Sequence, residues 1–141
     1  MNLIELVYVS KAGKRLNQDE LEGILSKARK NNTDTDITGL LLYDGYGTFI
    51  QVLEGPEPAV ENLFEKIKLD TRHTNVNRIG FHHIKKRSFP DWKMGFRVLD
   101  QDLESSLPGY SDFMKHRGEV QYLVEHSSFA MQMIHYFVKK D

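Results

Sequence analysis

The chain has 141 residues, 28% charged and 40% hydrophobic, enough for one globular domain with a real core. Its 19 basic and 20 acidic side chains leave a net charge of -1, which argues against a general nucleic-acid binder, and the absence of cysteine excludes disulfides, thiolate catalysis and Cys-ligated zinc. No run approaches the roughly 18 apolar residues of a membrane span, and Glu5 interrupts the first apolar stretch, so no signal peptide is expected and a cytoplasmic location is the default.

Leu3 to Ser10 alternates as a strand, with Ile4, Leu6 and Tyr8 on one face and Leu3, Glu5 and Val7 on the other. A polar turn follows over Lys11 to Leu16. Asn17 and Glu20 have the spacing of a capping box, and Leu21, Ile24, Leu25 and Ala28 then form a helical stripe. Asn31 and Asn32 either extend that stripe or end the helix as caps. Ile37 to Tyr43 and Thr48 to Glu54 read as strands joined by a hairpin turn at Asp44-Gly45-Tyr46-Gly47. Gly55 to Pro58 introduces a second helix with the stripe Val60, Leu63, Phe64 and Ile67, and Asp70-Thr71-Arg72-His73 follows it. Asn77 to Lys86 and Trp92 to Leu99 read as two more strands. In the latter, Trp92, Met94, Phe96 and Val98 are expected on one face, with Lys93 and Arg97 on the other.

This order predicts an α+β fold of ferredoxin-like character, a β-α-β-β-α-β-β mixed sheet with both helices on one face. From Ser105 onward the pattern turns helical. Val120, Leu123, Val124, Ala130, Met131, Ile134 and Phe137 suit one face of a tail, and Phe129, Met133 and Tyr136 make a second strip. One strip can cover the open side of the sheet. The second predicts a partner such as another copy of the chain, the alternative being a tail fully wrapped on a monomer. The division expected is a sheet-and-helix domain over 1–100 and a helical extension over 101–141, for capping, oligomerisation or output.

Gln51 interrupts the apolar run Phe49-Ile50-Gln51-Val52-Leu53 and points the same way as Phe49 and Leu53. A buried primary amide needs partners, because one group left unpaired costs roughly 1–3 kcal/mol. Tyr8 and Asn32 are the candidates on other elements. Their convergence with Ile24 and Ile67 would line a groove for a flat, heteroatom-bearing ligand. A bond from Gln51 to neighbouring backbone, or a place at a strand edge, is the plainer alternative.

Taken in order, several blocks resemble the BLUF domain, the blue-light sensor that uses flavin. They are Leu6-Val7-Tyr8-Val9-Ser10, Asn31-Asn32, Ile37-Thr38-Gly39-Leu40-Leu41-Leu42-Tyr43, Phe49-Ile50-Gln51-Val52-Leu53-Glu54-Gly55, Asp70-Thr71-Arg72-His73 and Arg87-Ser88-Phe89-Pro90-Asp91-Trp92-Lys93-Met94-Gly95-Phe96. The resemblance implies a photoreceptor, not an enzyme, with flavin as FAD or FMN between the first two helices. It implies that Tyr8 is the electron and proton donor and that Gln51 bridges Tyr8 to the ring and changes orientation or tautomer. Asn32 would hold the polar edge of the ring, Asn31 would lie near the ribityl chain, and Ile24 and Ile67 would sandwich the ring. Arg72 and His73 would face the ribityl and phosphate end, and Trp92 or Met94, on the strand that carries the signal outward, would face the pocket. No cyclase or phosphodiesterase follows residue 100. The expectation is therefore a short stand-alone sensor, a homo-oligomer, acting by light-dependent association with downstream signalling proteins and touching neither nucleic acid nor membrane directly.

Two rival classes fit parts of the chain. An acylphosphatase-type hydrolase needs a Gly-rich phosphate cradle after the first strand, and Ser10-Lys11-Ala12-Gly13-Lys14-Arg15 offers basic residues without one. A non-photoactive dimerisation module explains the tail but leaves Tyr8, Asn32 and Gln51 without a purpose. No metal is expected, since the adjacent His82 and His83 would point to opposite strand faces.

Overall fold

The computed structural model describes residues 2–12, 16–71, 73–99 and 107–140, except for the side chains of 31–33 and 138–140. Strand β1 (Leu3–Ala12) leads into helix α1 (Gln18–Thr35), followed by the hairpin β2 (Thr38–Tyr43) and β3 (Thr48–Pro56). Helix α2 (Glu57–Leu69), β4 (His73–Ile84) and β5 (Gly95–Val98) complete the sheet region. The tail folds as α3 (Tyr110–Met114), α4 (Val120–Glu125) and α5 (Ser127–Lys140).

Local chemistry sets the boundaries. The capping box forms reciprocally: Glu20 N–H donates to Asn17 Oδ1 at 2.8 Å and Asn17 N–H to Glu20 Oε1 at 3.1 Å. Helix α1 then runs through Asn31 and Asn32 to Thr35, and the chain turns at Asp36, whose φ is 60°. Neither asparagine is a C-cap. At the hairpin tip, Asp44 Oδ1 accepts from the backbone N–H groups of Tyr46, Gly47 and Thr48, which closes the turn.

The strand order is β4-β1-β3-β2-β5, antiparallel except that β5 runs parallel to β2. This is the ferredoxin-like α+β sheet with one strand added. Alternation along β1 and β3 sends the two halves of each strand to different cores. Ile4, Leu6, Tyr8, Phe49 and Leu53 meet α1 and α2, while Val7, Val9, Ile50 and Val52 meet the tail helices. Helix α2 packs over β1, β3 and β4, and Leu21, Ile24 and Leu25 of α1 join the same core. A cleft lies between the two helices.

Three expectations need correction. The fifth strand begins only at Gly95, because 92–94 lies in an irregular segment after Pro90 where alternation no longer holds. Trp92 and Met94 consequently belong to different cores, Trp92 beside the tail-side cluster and Met94 in the helix-side one. The fourth strand runs over His73–Ile84 where Asn77 to Lys86 was expected, so His73 is its first residue. Finally, the second strip of the tail is used within the chain: Met133 is fully buried, and Phe129 and Tyr136 pack on the same core as the first strip. Among the described residues, no helix is long and apolar enough to cross a membrane.

Candidate functional site: a cleft over a buried tyrosine–glutamine pair

Tyr8 and Gln51 are direct cross-strand partners in the β1–β3 register, so their side chains rise side by side from the same face. Tyr8 is 0% exposed and Gln51 5%, and the Tyr8 hydroxyl donates to Gln51 Oε1. The plainer reading of Gln51, as bonded to backbone or at an edge, is thereby replaced: it sits on a central strand and bonds a side chain. Its Nε2 donates to Met94 Sδ at 3.2 Å. A thioether is a weak acceptor, so the donor end of a buried amide points at a poor partner. A carbonyl or ring nitrogen in the cleft would satisfy it better.

The cleft encloses about 140 Å3, and about 730 Å3 when the space at its open mouth is counted. Ile24 and Ala28 of α1 form one wall, Leu63 and Ile67 of α2 the other, with Tyr8, Leu41, Gln51 and Met94 beneath. Lys27, Lys66, Asp70 and His73 complete the lining. His73 Nδ1 lies 3.1 Å from Ser10 Oγ and its ring 5.3 Å from that of Phe49, which fixes the imidazole at the end of β4. Two apolar walls over a polar floor fit a flat aromatic ring whose heteroatoms face Gln51.

Burial, with a further contribution from the Asp70 carboxylate, pushes the Tyr8 phenol well above its ordinary pKa of 10.0. Tyr8 is therefore neutral throughout the physiological range. Its hydroxyl hydrogen is held by Gln51 Oε1.

Of the residues expected at the site, Tyr8, Ile24, Gln51, Ile67, His73 and Met94 come together. Trp92 does not: its indole stacks on Phe89 at 5.3 Å, away from the cleft. The side chains of Asn31 and Asn32 and all of Arg72 lie outside the described residues. Sequence reading did not place Leu41, Leu63 and Ala28 in the lining, nor the charged trio Lys27, Lys66 and Asp70.

It also missed the clamp that holds the Met94 segment. The Glu54 carboxylate, 0% exposed, accepts from Thr38 Oγ1 at 3.0 Å, Ser88 N at 2.9 Å and Phe89 N at 2.6 Å. Arg87 donates to Thr38 Oγ1 at 2.8 Å and to the carbonyls of Glu54 at 3.2 Å and Asp36 at 2.7 Å. A buried carboxylate needs such donors, and here they anchor the turn that leads to Met94. Gly39 N–H, donating to the Trp92 carbonyl at 3.0 Å, ties the same segment to β2.

The rivals find less. Ser10 to Ala12 continue β1, and Gly13 to Arg15 of the candidate cradle lie outside the described residues. Among the described residues no group of three or more His, Asp or Glu could hold a metal.

Comparison with known proteins agrees with this geometry. A family model described as "BLUF: Sensors of blue-light using FAD" matches residues 3–95. Photoactivated adenylate cyclase subunit beta of Euglena longa is 39% identical over 93 residues, 65% of this chain but only 11% of that protein. The structure of BlsA in its photo-activated state superposes with a TM-score of 0.73 at 29% identity, covering 94% of both chains. A bacterial light-regulated adenylyl cyclase superposes at 0.74 with 33% identity, covering 88% of this chain and 36% of the other. Topology, cleft and these matches converge: the chain belongs to the BLUF family of blue-light flavin sensors.

Proposed function

We propose that this chain detects blue light with a flavin held in the α1–α2 cleft, and that Tyr8 and Gln51 convert absorption into a changed hydrogen-bond pattern. The observation that carries the reading is the buried Tyr8–Gln51 pair at the floor of an apolar cleft, with the amide donor end on a weak acceptor. A bound flavin supplies a chromophore that absorbs blue light and, once excited, accepts an electron. Ile24 and Ile67 hold the ring flat and exclude water. Asn32 is assigned to its polar edge, Asn31 to the nearby ribityl chain, and Arg72 and His73 to the ribityl and phosphate end. The assignments of Asn31, Asn32 and Arg72 rest on family resemblance. Because the grip is on the ring, FAD and FMN are both accepted ligands.

With the excited ring as electron acceptor, Tyr8 would be the electron donor, and Gln51, whose Oε1 accepts from the Tyr8 hydroxyl, would be the relay for its phenolic proton. Gln51 can respond because its amide donates at one end and accepts at the other, so rotation or tautomerisation exchanges the two roles. The new arrangement alters what Met94 accepts. One buried hydrogen bond gained or lost is worth about 1 kcal/mol net, enough to bias a bistable segment without unfolding the domain. Residues 1–100 then act as the sensor and 101–141 as its cover and transducer. The output is a change in association with a downstream protein, not catalysis by this chain. A cytoplasmic location is part of the same proposal and rests on the sequence alone.

The test is optical. The purified protein should be yellow, or become so with added FAD or FMN, and blue illumination should shift its absorption reversibly to the red. A protein that takes up no flavin, or one whose spectrum is unmoved by light, would refute the reading.

A further inference from the structure

The lining of the α1–α2 cleft divides by depth. Its floor is buried and its walls are apolar, whereas Lys27 on α1 and Lys66 on α2 are exposed residues that join the lining from the rim. Each stands beside a residue assigned to hold the ring. Lys66 directly precedes Ile67, and Lys27 lies about one helical turn after Ile24. The two lysines therefore flank the cleft from facing helices.

A lysine on a helix can be offset by a carboxylate three or four residues away, as Lys68 is by Glu65 at 3.1 Å. Lys27 has no such neighbour, since those positions carry Gly23, Ile24, Lys30 and Asn31. Lys66 has Asp70 at that spacing, yet no ion pair joins them. Among the described residues neither lysine makes a hydrogen bond or an ion pair. Against these two cations the lining sets one carboxylate, Asp70, which has interactions of its own within the chain. An apolar cleft rimmed in this way fits a ligand that is flat and apolar at one end and anionic at the other.

We propose that Lys27 and Lys66 read the phosphate of the flavin, so that this chain takes the phosphorylated flavins FMN and FAD in preference to riboflavin. The inference rests on the flavin reading above and adds a selectivity that the ring-holding residues cannot supply, because the ring is the same in all three molecules. Riboflavin ends in a neutral ribityl chain, FMN adds a phosphate monoester and FAD a pyrophosphate. An ammonium group meets a phosphate oxygen in a charge-assisted hydrogen bond, and two of them approaching from facing helices can share one anion. Lysine is a point charge on a flexible stem, so it follows either phosphate group without demanding one geometry. Two exposed contacts of this kind are worth about a factor of ten in affinity.

The test measures dissociation constants for FMN, FAD and riboflavin by titration calorimetry in darkness, on the full chain freed of any flavin it carries. FMN and FAD are expected to bind about tenfold more tightly than riboflavin. Salt at about 1 M should remove most of that advantage and leave riboflavin nearly unmoved. In the Lys27→Ala/Lys66→Ala variant the preference should fall to about twofold or less, with riboflavin affinity kept. Equal or better affinity for riboflavin, an advantage that salt does not reduce, or one that persists in the variant would overturn the phosphate assignment. So would a loss in the variant as large for riboflavin as for FMN, which would make the lysines part of the grip on the ring. In each of these cases the flavin reading stands. Should none of the three flavins bind, the flavin reading itself falls, and the phosphate assignment with it.

Discussion

Replacing Gln51 with leucine removes the acceptor of the Tyr8 hydroxyl while nearly keeping the shape of the site. Tyr8 is 0% exposed, so water cannot take the place of Gln51 Oε1. A buried donor stranded in this way costs about 1–3 kcal/mol, partly offset by the apolar leucine packing on Ile24 and Met94. Tyr8→Phe strands the other partner at a similar cost. The double variant strands neither, because both polar groups are gone. It should therefore be about as stable as either single variant, with a coupling energy of about 1–2 kcal/mol. Urea unfolding in darkness at saturating flavin measures all four proteins under the same ligand linkage. All three variants should bind flavin, and none should show the light-induced red shift. Simple additivity of the two single changes, or an intact red shift in Tyr8→Phe, would refute the reasoning.

Three further perturbations probe the surroundings. Glu54→Gln puts an amide where one carboxylate accepts three donors, and at least one backbone N–H of Ser88 or Phe89 loses its partner; chemical denaturation should show a loss of about 2–3 kcal/mol. Gly95→Ala places a methyl carbon 2.2 Å from Trp92 Cε3, so the indole must move; a shifted tryptophan emission and a loss of about 1–3 kcal/mol are expected, and an unchanged spectrum would contradict the packing. Burial, opposed in part by His135 and His82, holds the Glu5 carboxyl above its ordinary 4.5. A carboxyl whose folded-state pKa is raised contributes stability below its unfolded pKa and loses it as pH rises through the folded value. Melting temperatures of Glu5→Gln relative to wild type should therefore improve as pH rises from about 4 through the raised folded-state value, and a flat difference would exclude that role.

How much of this was legible beforehand depends on whether a residue's setting is local. Alternation along β1 and β3 placed Tyr8 and Gln51 on one face, because two-residue periodicity holds wherever a strand is regular. The box at Asn17 and Glu20 and the Asp44 turn were readable for the same reason, since each is satisfied within four residues. Trp92 and Met94 were not, because 92–94 is irregular and its course is set by Glu54 and Gly39 on distant strands. Glu54 looked like a strand end. Its burial follows from the Arg87–Phe89 turn closing over it, which no local pattern announces.

The amino-acid order alone determined the succession of strands and helices, the two faces of the sheet and the candidate phenol–amide pair, all of which follow from periodicity and short-range bonding. Only the packed molecule decided which side of the sheet Met94 joins, that Lys27, Lys66 and Asp70 reach the cleft lining, and that both strips of the tail pack on one core. Those outcomes depend on where separate elements come to rest against one another, and solvent exclusion between distant segments leaves no signature in the spacing of neighbouring residues.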